Sequence, residues 1–322
     1  MGERRFGSID VGSNAIRLRI VESSSSAWGG EVVREVTSAR APVRLGRDVF
    51  RSGRLSSATL DDATQVLAGF RSIFEREGVT SYRAVATSAT REASNGLDLV
   101  MRAEREAGIE LETIDGHEEA RLVNVAVARA IRLTGRTALA DIGGGSTEIT
   151  VLDGVKRVRS TSLPLGTVRL LEAWHPEGGT VGRRKLGILT EVVDRALAHL
   201  TPDLARVSRV VATGGTVTAL AKLCGRDGHS VGVAKLVSVL ERLRKLTEDE
   251  RAAEFGVRAD RADTIVPAAV IIMRVALAAG AKTIEAPGVG IRDGILAELA
   301  AEHASSTSAP SRTQRSRSSL VA

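Results

Sequence analysis

The feature that most constrains this chain is a near-repeat. "GSIDVGSNAIRLRI" at residues 7–20 and "LADIGGGSTEITV" at residues 139–151 share one pattern. An apolar run reaches an aspartate, breaks at a small-residue turn, and resumes as a polar/apolar alternation. Alternation of period two reads as a strand, and two strands about a tight turn read as a hairpin. Aligning the copies pairs Asp10 with Asp141, Gly12 with Gly143, Leu18 with Ile149 and Ile20 with Val151. The segments after each copy repeat too: both halves read three strands, helix, strand, helix. In the first half, Leu60, Ala63, Val66, Leu67, Phe70, Ile73 and Phe74 form one helical stripe that Ser57 or Thr59 can cap. A duplicated α/β unit predicts two similar lobes facing each other across a cleft. The expected domains are residues 1–133 and 134–302, with the last helix free to cross back onto the first half. A Ser-rich segment without acids, residues 303–322, reads as a disordered basic tail.

Composition narrows the function classes. The chain has 322 residues, 43% of them hydrophobic and 26% charged, and a net charge of +6. Three of those charges, Arg312, Arg315 and Arg317, sit in the tail, so an anionic partner is allowed but not demanded. Aromatic residues are only 2%, which argues against stacking on unpaired bases and hence against nucleic acid. The apolar stretch Val266 to Met273 is too short to span a bilayer, and "MGERRF" has no apolar leader. No membrane association and a cytoplasmic location are the expectations. Cys224 follows an apolar run and reads as a buried structural thiol.

The turns suggest chemistry. Residues without Cβ let a phosphate approach backbone N–H groups, and a sharp turn can aim several at one point. Gly143, Gly144 and Gly145 offer this in one half, and Gly12, Ser13 and Asn14 in the other. Two matched turns after matched aspartates favour a phosphate chain gripped from both sides over two plain hairpins. Gly214-Gly215 adds a strand–turn–helix site without a Walker lysine. Asp141 and Glu148 flank the triple-glycine turn, where carboxylates beside phosphate can hold Mg²⁺, although on a lone strand Glu148 would sit on the solvated face. Glu118 and Glu119 open a helix: either could be a general base, or both could simply oppose the helix dipole. Arg91 at a strand–helix junction could clamp a phosphate or pair with Glu92 or Asp98.

Taken together, "SIDVGSNAIRL", "VATSATREASN", "DGHEEARL", "ADIGGGSTEI", "PLGTVRL", "ATGGTVTALA", "DRADTIVPAA" and "GVGIRDGIL" resemble the exopolyphosphatase/guanosine pentaphosphate phosphatase family, along residues 8 to 296. The resemblance implies an actin-like fold of the sugar kinase/Hsp70/actin superfamily, with ribonuclease H-like domains. It implies that Glu119 is the catalytic base, and that Asp141 and Glu148 bind metal and position water. It further implies phosphate contacts by Arg91, Ser13, Asn14, Gly143, Gly144, Gly145, Ser146, Gly214, Gly215 and Thr216. Ala15 stands where the family usually has Ser, and Asp293 where Glu is commoner. The expected activity is Mg²⁺-dependent removal of orthophosphate from the end of inorganic polyphosphate. Guanosine pentaphosphate hydrolysis is the alternative within the family, and a non-catalytic polyphosphate or alarmone sensor is the alternative from another class. A homodimer is the expectation for assembly.

Overall fold

The computed structural model describes residues 4–25, 31–174, 179–225 and 227–308. The first half runs β1 (Arg4–Val11), β2 (Ile16–Ser25), β3 (Glu31–Ala41), α1 (Leu45–Ser52) and α2 (Ser57–Arg76). It continues with β4 (Ser81–Ala86), α3 (Ser88–Glu92), α4 (Gly96–Ala107), β5 (Leu111–Thr113) and α5 (Gly116–Ala130). The second half opens with β6 (Arg136–Ile142), β7 (Thr147–Asp153), β8 (Lys156–Leu163), α6 (Thr167–Trp174), α7 (Arg183–Leu197) and α8 (Thr201–Leu204). Then come β9 (Arg209–Thr213), α9 (Gly215–Cys224), β10 (Ser230–Gly232), α10 (Val233–Leu243), α11 (Glu248–Phe255) and α12 (Ala259–Ala262). The chain closes with α13 (Ile265–Ala278), β11 (Thr283–Glu285) and α14 (Ile291–Ser308).

The two sheets have one plan. The first is ordered β3-β2-β1-β4-β5 and the second β10-β11-β9-β6-β7-β8. Each centre is a strand with an antiparallel neighbour on one side, β2 or β7, and a parallel neighbour on the other, β4 or β9. β10 is an extra antiparallel edge on the second sheet. In β2, Ile16, Leu18 and Ile20 are fully buried and alternate with Arg17 and Arg19, as period two requires. β6 lies between two strands, and its residues 137 to 142 are all buried.

Packing crosses the chain's midpoint. Val123 and Val127 of α5 join Leu139, Leu152 and Val211 of the second sheet, while Leu122 packs with Val85 and Ile295. Leu296 and Ala300 of α14 pack on Phe6 and Val21 of the first lobe. α14 approaches α5 so closely that a Cβ at Gly294 would fall on the carbonyl oxygen of Leu122. The two lobes are thus joined by a shared helical layer, whereas sequence order alone gave α5 to the first.

Two details differ from the sequence expectations. The cap of α2 is Ser56, whose hydroxyl accepts the Thr59 amide at 3.2 Å, one residue before the earlier candidate. α14 runs to Ser308, so residues 303–308 of the expected disordered tail are helical. The remainder of that tail lies outside the described residues. No helix among the described residues is long and apolar enough to cross a membrane. Cys224 is buried, and burial raises its thiol to about 11.

Candidate active site

The ends of the central strands define the site, as expected for ligands of open α/β sheets. In the β1–β2 turn, the Gly12 amide donates to the Ala15 carbonyl at 3.1 Å; in the β6–β7 turn, the Gly143 amide donates to the Ser146 carbonyl at 3.0 Å. The carbonyls of Gly143 and Gly144 accept the Thr167 and Val168 amides of α6, at 3.0 and 2.8 Å. Among the described residues, the amides of Ser13, Asn14, Gly144 and Gly145 donate to no backbone carbonyl. They remain available to an anion.

The two turns face each other closely. A Cβ on Gly144 would lie 3.0 Å from the Ser13 Cβ and 3.3 Å from the Asn14 amide nitrogen. A Cβ on Gly145 would strike the Ser88 hydroxyl and come within 2.8 Å of the Ser13 hydroxyl. These glycines are needed for lobe-to-lobe approach. Gly214 has a different reason: its φ of +116° is left-handed, and an added Cβ would meet the Ile142 carbonyl. Behind it, Gly215 and Thr216 open α9, whose N-terminal amides face the cleft. Ser146, next to the triple glycine, is buried and also lines the cleft.

Glu119 and Asp141 line the cleft, and Glu148 is buried beside them without lining it. Glu119 is 4% exposed, although it stands in the first turn of α5 behind the Asp115 cap. Its Oε1 accepts Arg91 Nη1 at 2.6 Å, and the same nitrogen donates to the Ile114 carbonyl at 2.6 Å. Burial raises the Glu119 carboxyl, Arg91 opposes this, and Asp141 and Asp10 add to it, leaving it at about 7. Glu118 points elsewhere, to Arg83 at 2.9 Å and Arg121 at 2.6 Å, which hold its carboxyl low. The geometry thus separates two glutamates that the residues alone did not.

Glu148 is 2% exposed, not on a solvated strand face. The Ser162 hydroxyl donates to it at 2.8 Å. Burial, then Glu119 and Asp141, push its carboxyl well up. Asp141 accepts the Thr213 hydroxyl at 2.6 Å and is also raised, chiefly by burial, with Asp10 adding. Asp141 and Glu148 are direct cross-strand partners. Two like charges opposite one another are unfavourable unless a cation lies between them or one is protonated. This all-oxygen donor set fits a hard divalent cation such as Mg²⁺. No group of three or more metal-type side chains is preassembled among the described residues, so such an ion would rely on one or two carboxylates plus ligand oxygens and water.

Arg91 pairs with Glu119 rather than with Glu92 or Asp98. Glu92 is taken by Arg169 at 2.6 Å; that arginine stacks over Phe50 at 4.1 Å and donates to the Gly145 carbonyl at 2.7 Å. The contact joins α3 of one lobe to the glycine turn of the other.

The sequence reading missed a set of arginines. The cleft, about 500 Å³, is lined by Arg17, Arg40, Arg258, Arg261 and Arg292 besides the acids and turns. A Cβ on Gly215 would lie 2.8 Å from the Arg261 guanidinium and 3.0 Å from that of Arg17, so both cations sit at the start of α9. Burial lowers Arg261 to about 10, with Arg258, Arg17 and Arg40 repelling it. The signal existed: "DRADTIVPAA" and "GVGIRDGIL" contain two of the five. They come from β2, β3, α12 with its N-cap, and α14, so no single local spacing marks the five as a group.

The model of the Ppx/GppA phosphatase family matches residues 21–303. The chain belongs to that family. It is similar to Exopolyphosphatase 1 of Mycobacterium tuberculosis, with 32% identity over 91% of this chain and 87% of the relative. Exopolyphosphatase 1 of Mycobacterium leprae is 31% identical, over 91% and 88%. Among solved structures, an Aquifex aeolicus Ppx/GppA family member is 25% identical with a TM-score of 0.77, covering 94% of this chain and 99% of its own. An exopolyphosphatase from Cytophaga hutchinsonii reaches a TM-score of 0.83 at 24% identity, over 93% and 98%, and shares the fold. A Neospora caninum nucleoside triphosphate hydrolase shares the fold alone, with a TM-score of 0.55 at 11% identity, over 94% and 93%. The duplicated α/β architecture of this family member is therefore the actin-like one.

Proposed function

We propose that this protein is an exopolyphosphatase, hydrolysing the terminal phosphoanhydride of inorganic polyphosphate to release orthophosphate. The observation that carries the reading is a buried carboxyl poised near neutrality, Glu119, in one cleft with two facing turns whose amides are available. A base with that affinity for protons is suited to water activation at neutral pH.

In this reading, Ser13, Asn14 and the Gly143-Gly144-Gly145 turn bind the terminal phosphoryl from two sides. Gly214, Gly215 and Thr216 hold the next phosphates at the start of α9, with Arg17 and Arg261. Glu119, oriented by Arg91, accepts a proton from water as its oxygen bonds to the terminal phosphorus. The bridging P–O bond breaks and the shortened chain leaves. Asp141 and Glu148 would hold Mg²⁺, which offsets charge between carboxylates and phosphates when bound. Positioning and electrostatics supply most of the rate.

That two relatives are named exopolyphosphatases supports polyphosphate over guanosine pentaphosphate as the substrate here. Nor does any aromatic side chain among the described residues line the cleft to stack a guanine. The test is orthophosphate release from long polyphosphate, tripolyphosphate and guanosine pentaphosphate, each with and without Mg²⁺. Release from polyphosphate that depends on Mg²⁺ is expected; release from the nucleotide alone would overturn the reading.

A further inference from the structure

Arg40 and Arg258 share a single carboxylate. Asp260 pairs with Arg40, while Arg258 donates to its two oxygens through Nε at 3.1 Å and Nη2 at 3.3 Å. The other cleft arginines are held differently. Arg17 is 3.5 Å from Asp10, Arg292 donates to the Leu18 carbonyl at 3.1 Å, and Arg261 has no side-chain partner among the described residues. A carboxylate and a pair of phosphate oxygens are interchangeable acceptors for a guanidinium fork.

We infer that Asp260 is a specificity-determining residue whose carboxylate occupies Arg40 and Arg258 in place of substrate phosphate, so that an entering chain must displace it. The inference rests on the polyphosphate reading and deepens it. Arg40 is buried among like charges: burial, Arg258 and Arg17 lower it to about 10, and Asp260 opposes them. Without an anion at hand, that crowding is unrelieved. A displaced Asp260 carboxylate then remains beside the phosphates and repels them. A long chain offsets this cost across many contacts with other arginines and turns. Tripolyphosphate or released orthophosphate has few contacts to set against it. Asp260 therefore weakens short anions most and favours long chains.

The same contact admits an opposite account. Arg40 lies on β3 of the first lobe and Asp260 in α12 of the second, and Asn14 Nδ2 donates to the Asp260 carbonyl at 3.1 Å. If the ion pair acts mainly as a latch between lobes, its loss would loosen the cleft and weaken every substrate. The two accounts differ in sign.

The test is Asp260→Asn, which keeps the shape and the backbone carbonyl, with Asp260→Ser as a second variant and thermal unfolding to verify folding. KM is measured for tripolyphosphate and for a polymer of several hundred phosphates over a series of salt concentrations. The expected result is a fall of about three- to tenfold in KM for tripolyphosphate, the effect of one charge pair in a partly buried setting. A smaller fall is expected for the long chain, stronger inhibition by orthophosphate, and a steeper salt dependence as two arginines are released. KM unchanged, or raised for both substrates, would overturn the inference while leaving the exopolyphosphatase reading intact. A wild-type protein that neither hydrolyses nor binds either polymer, with binding read by calorimetry, would overturn the reading itself and the inference with it.

Discussion

The two hairpins share a fold and differ in charge. Asp10 faces Arg17 across the β1–β2 ladder; in the same register of the second lobe, Asp141 faces Glu148. One lobe carries an acid–base pair and the other an acid–acid pair. The first is electrostatically complete and turns a cation toward the cleft. The second is incomplete, with both carboxyls raised, and borders the buried Glu119. In the proposed function the duplicated scaffold divides its labour: the first lobe's pair would grip an anion, and the second lobe's would attract a metal ion and support water attack.

This contrast can be broken by substitution. Glu148→Gln should remove the acid–acid pair, lower kcat by roughly 10²-fold or more, and flatten the response to Mg²⁺; loss of outer-shell groups alone costs metal sites about 10–100-fold. Phosphate release across a Mg²⁺ titration measures this, and an unchanged Mg²⁺ response would dissolve the contrast. In the first lobe, Arg17→Met should instead raise the KM for polyphosphate roughly tenfold with less change in kcat, the loss of one charge-assisted contact. A pure kcat defect there would assign the two pairs the same task.

Proton linkage sharpens the comparison on the acid side. Burial holds folded Glu119 at about 7, above its ordinary 4.5. Between those values the folded protein binds more protons than the unfolded one, so stability declines as pH rises through the window and levels off above it. In metal-free protein, the decline relative to Glu119→Gln should be on the order of 3 kcal/mol. Denaturant titrations of both proteins at pH 5, 6, 7 and 8 measure it; parallel pH profiles would contradict the burial argument. The smallest effect concerns the turns themselves. Gly144→Ala places a methyl 3.0 Å from the Ser13 Cβ, whereas Gly12→Ala meets the Ala15 carbonyl at 3.3 Å. Overpacking of this kind costs about 1–3 kcal/mol, so Gly144→Ala should be the more destabilising of the two in thermal melts.

Much of this was legible in residue patterns, for identifiable reasons. Ile16, Leu18 and Ile20 alternate cleanly, and the repeated aspartate–glycine turn fixes the duplication, so the two sheets and their facing turns follow from the chain itself. Even the contrast between Arg17 and Glu148 lies in that alignment, since each falls seven residues after its matched aspartate, Asp10 or Asp141. What was not legible depends on long-range packing. Glu148 is buried because α5 covers the second sheet, and Glu119 turns inward because it shares the α5 face of Leu122, Val123 and Ala126, while Glu118 falls on the side that meets Arg83 and Arg121. α1 was missed because "VRLG" reads as extended in isolation; in the fold its Gly46 amide donates to the Ser13 carbonyl at 2.8 Å and backs the first turn. The five arginines come from β2, β3, the start of α12, α12 itself and α14, and only tertiary structure gathers them.

The most direct test of the central claim is Glu119→Gln, with polyphosphate binding and orthophosphate release measured on the same preparation in Mg²⁺. If the buried carboxyl is the proton acceptor between two facing phosphate turns, the variant should bind polyphosphate as the wild type does and release orthophosphate roughly 10²–10⁴-fold more slowly. Release at the wild-type rate, with binding intact, would contradict the account.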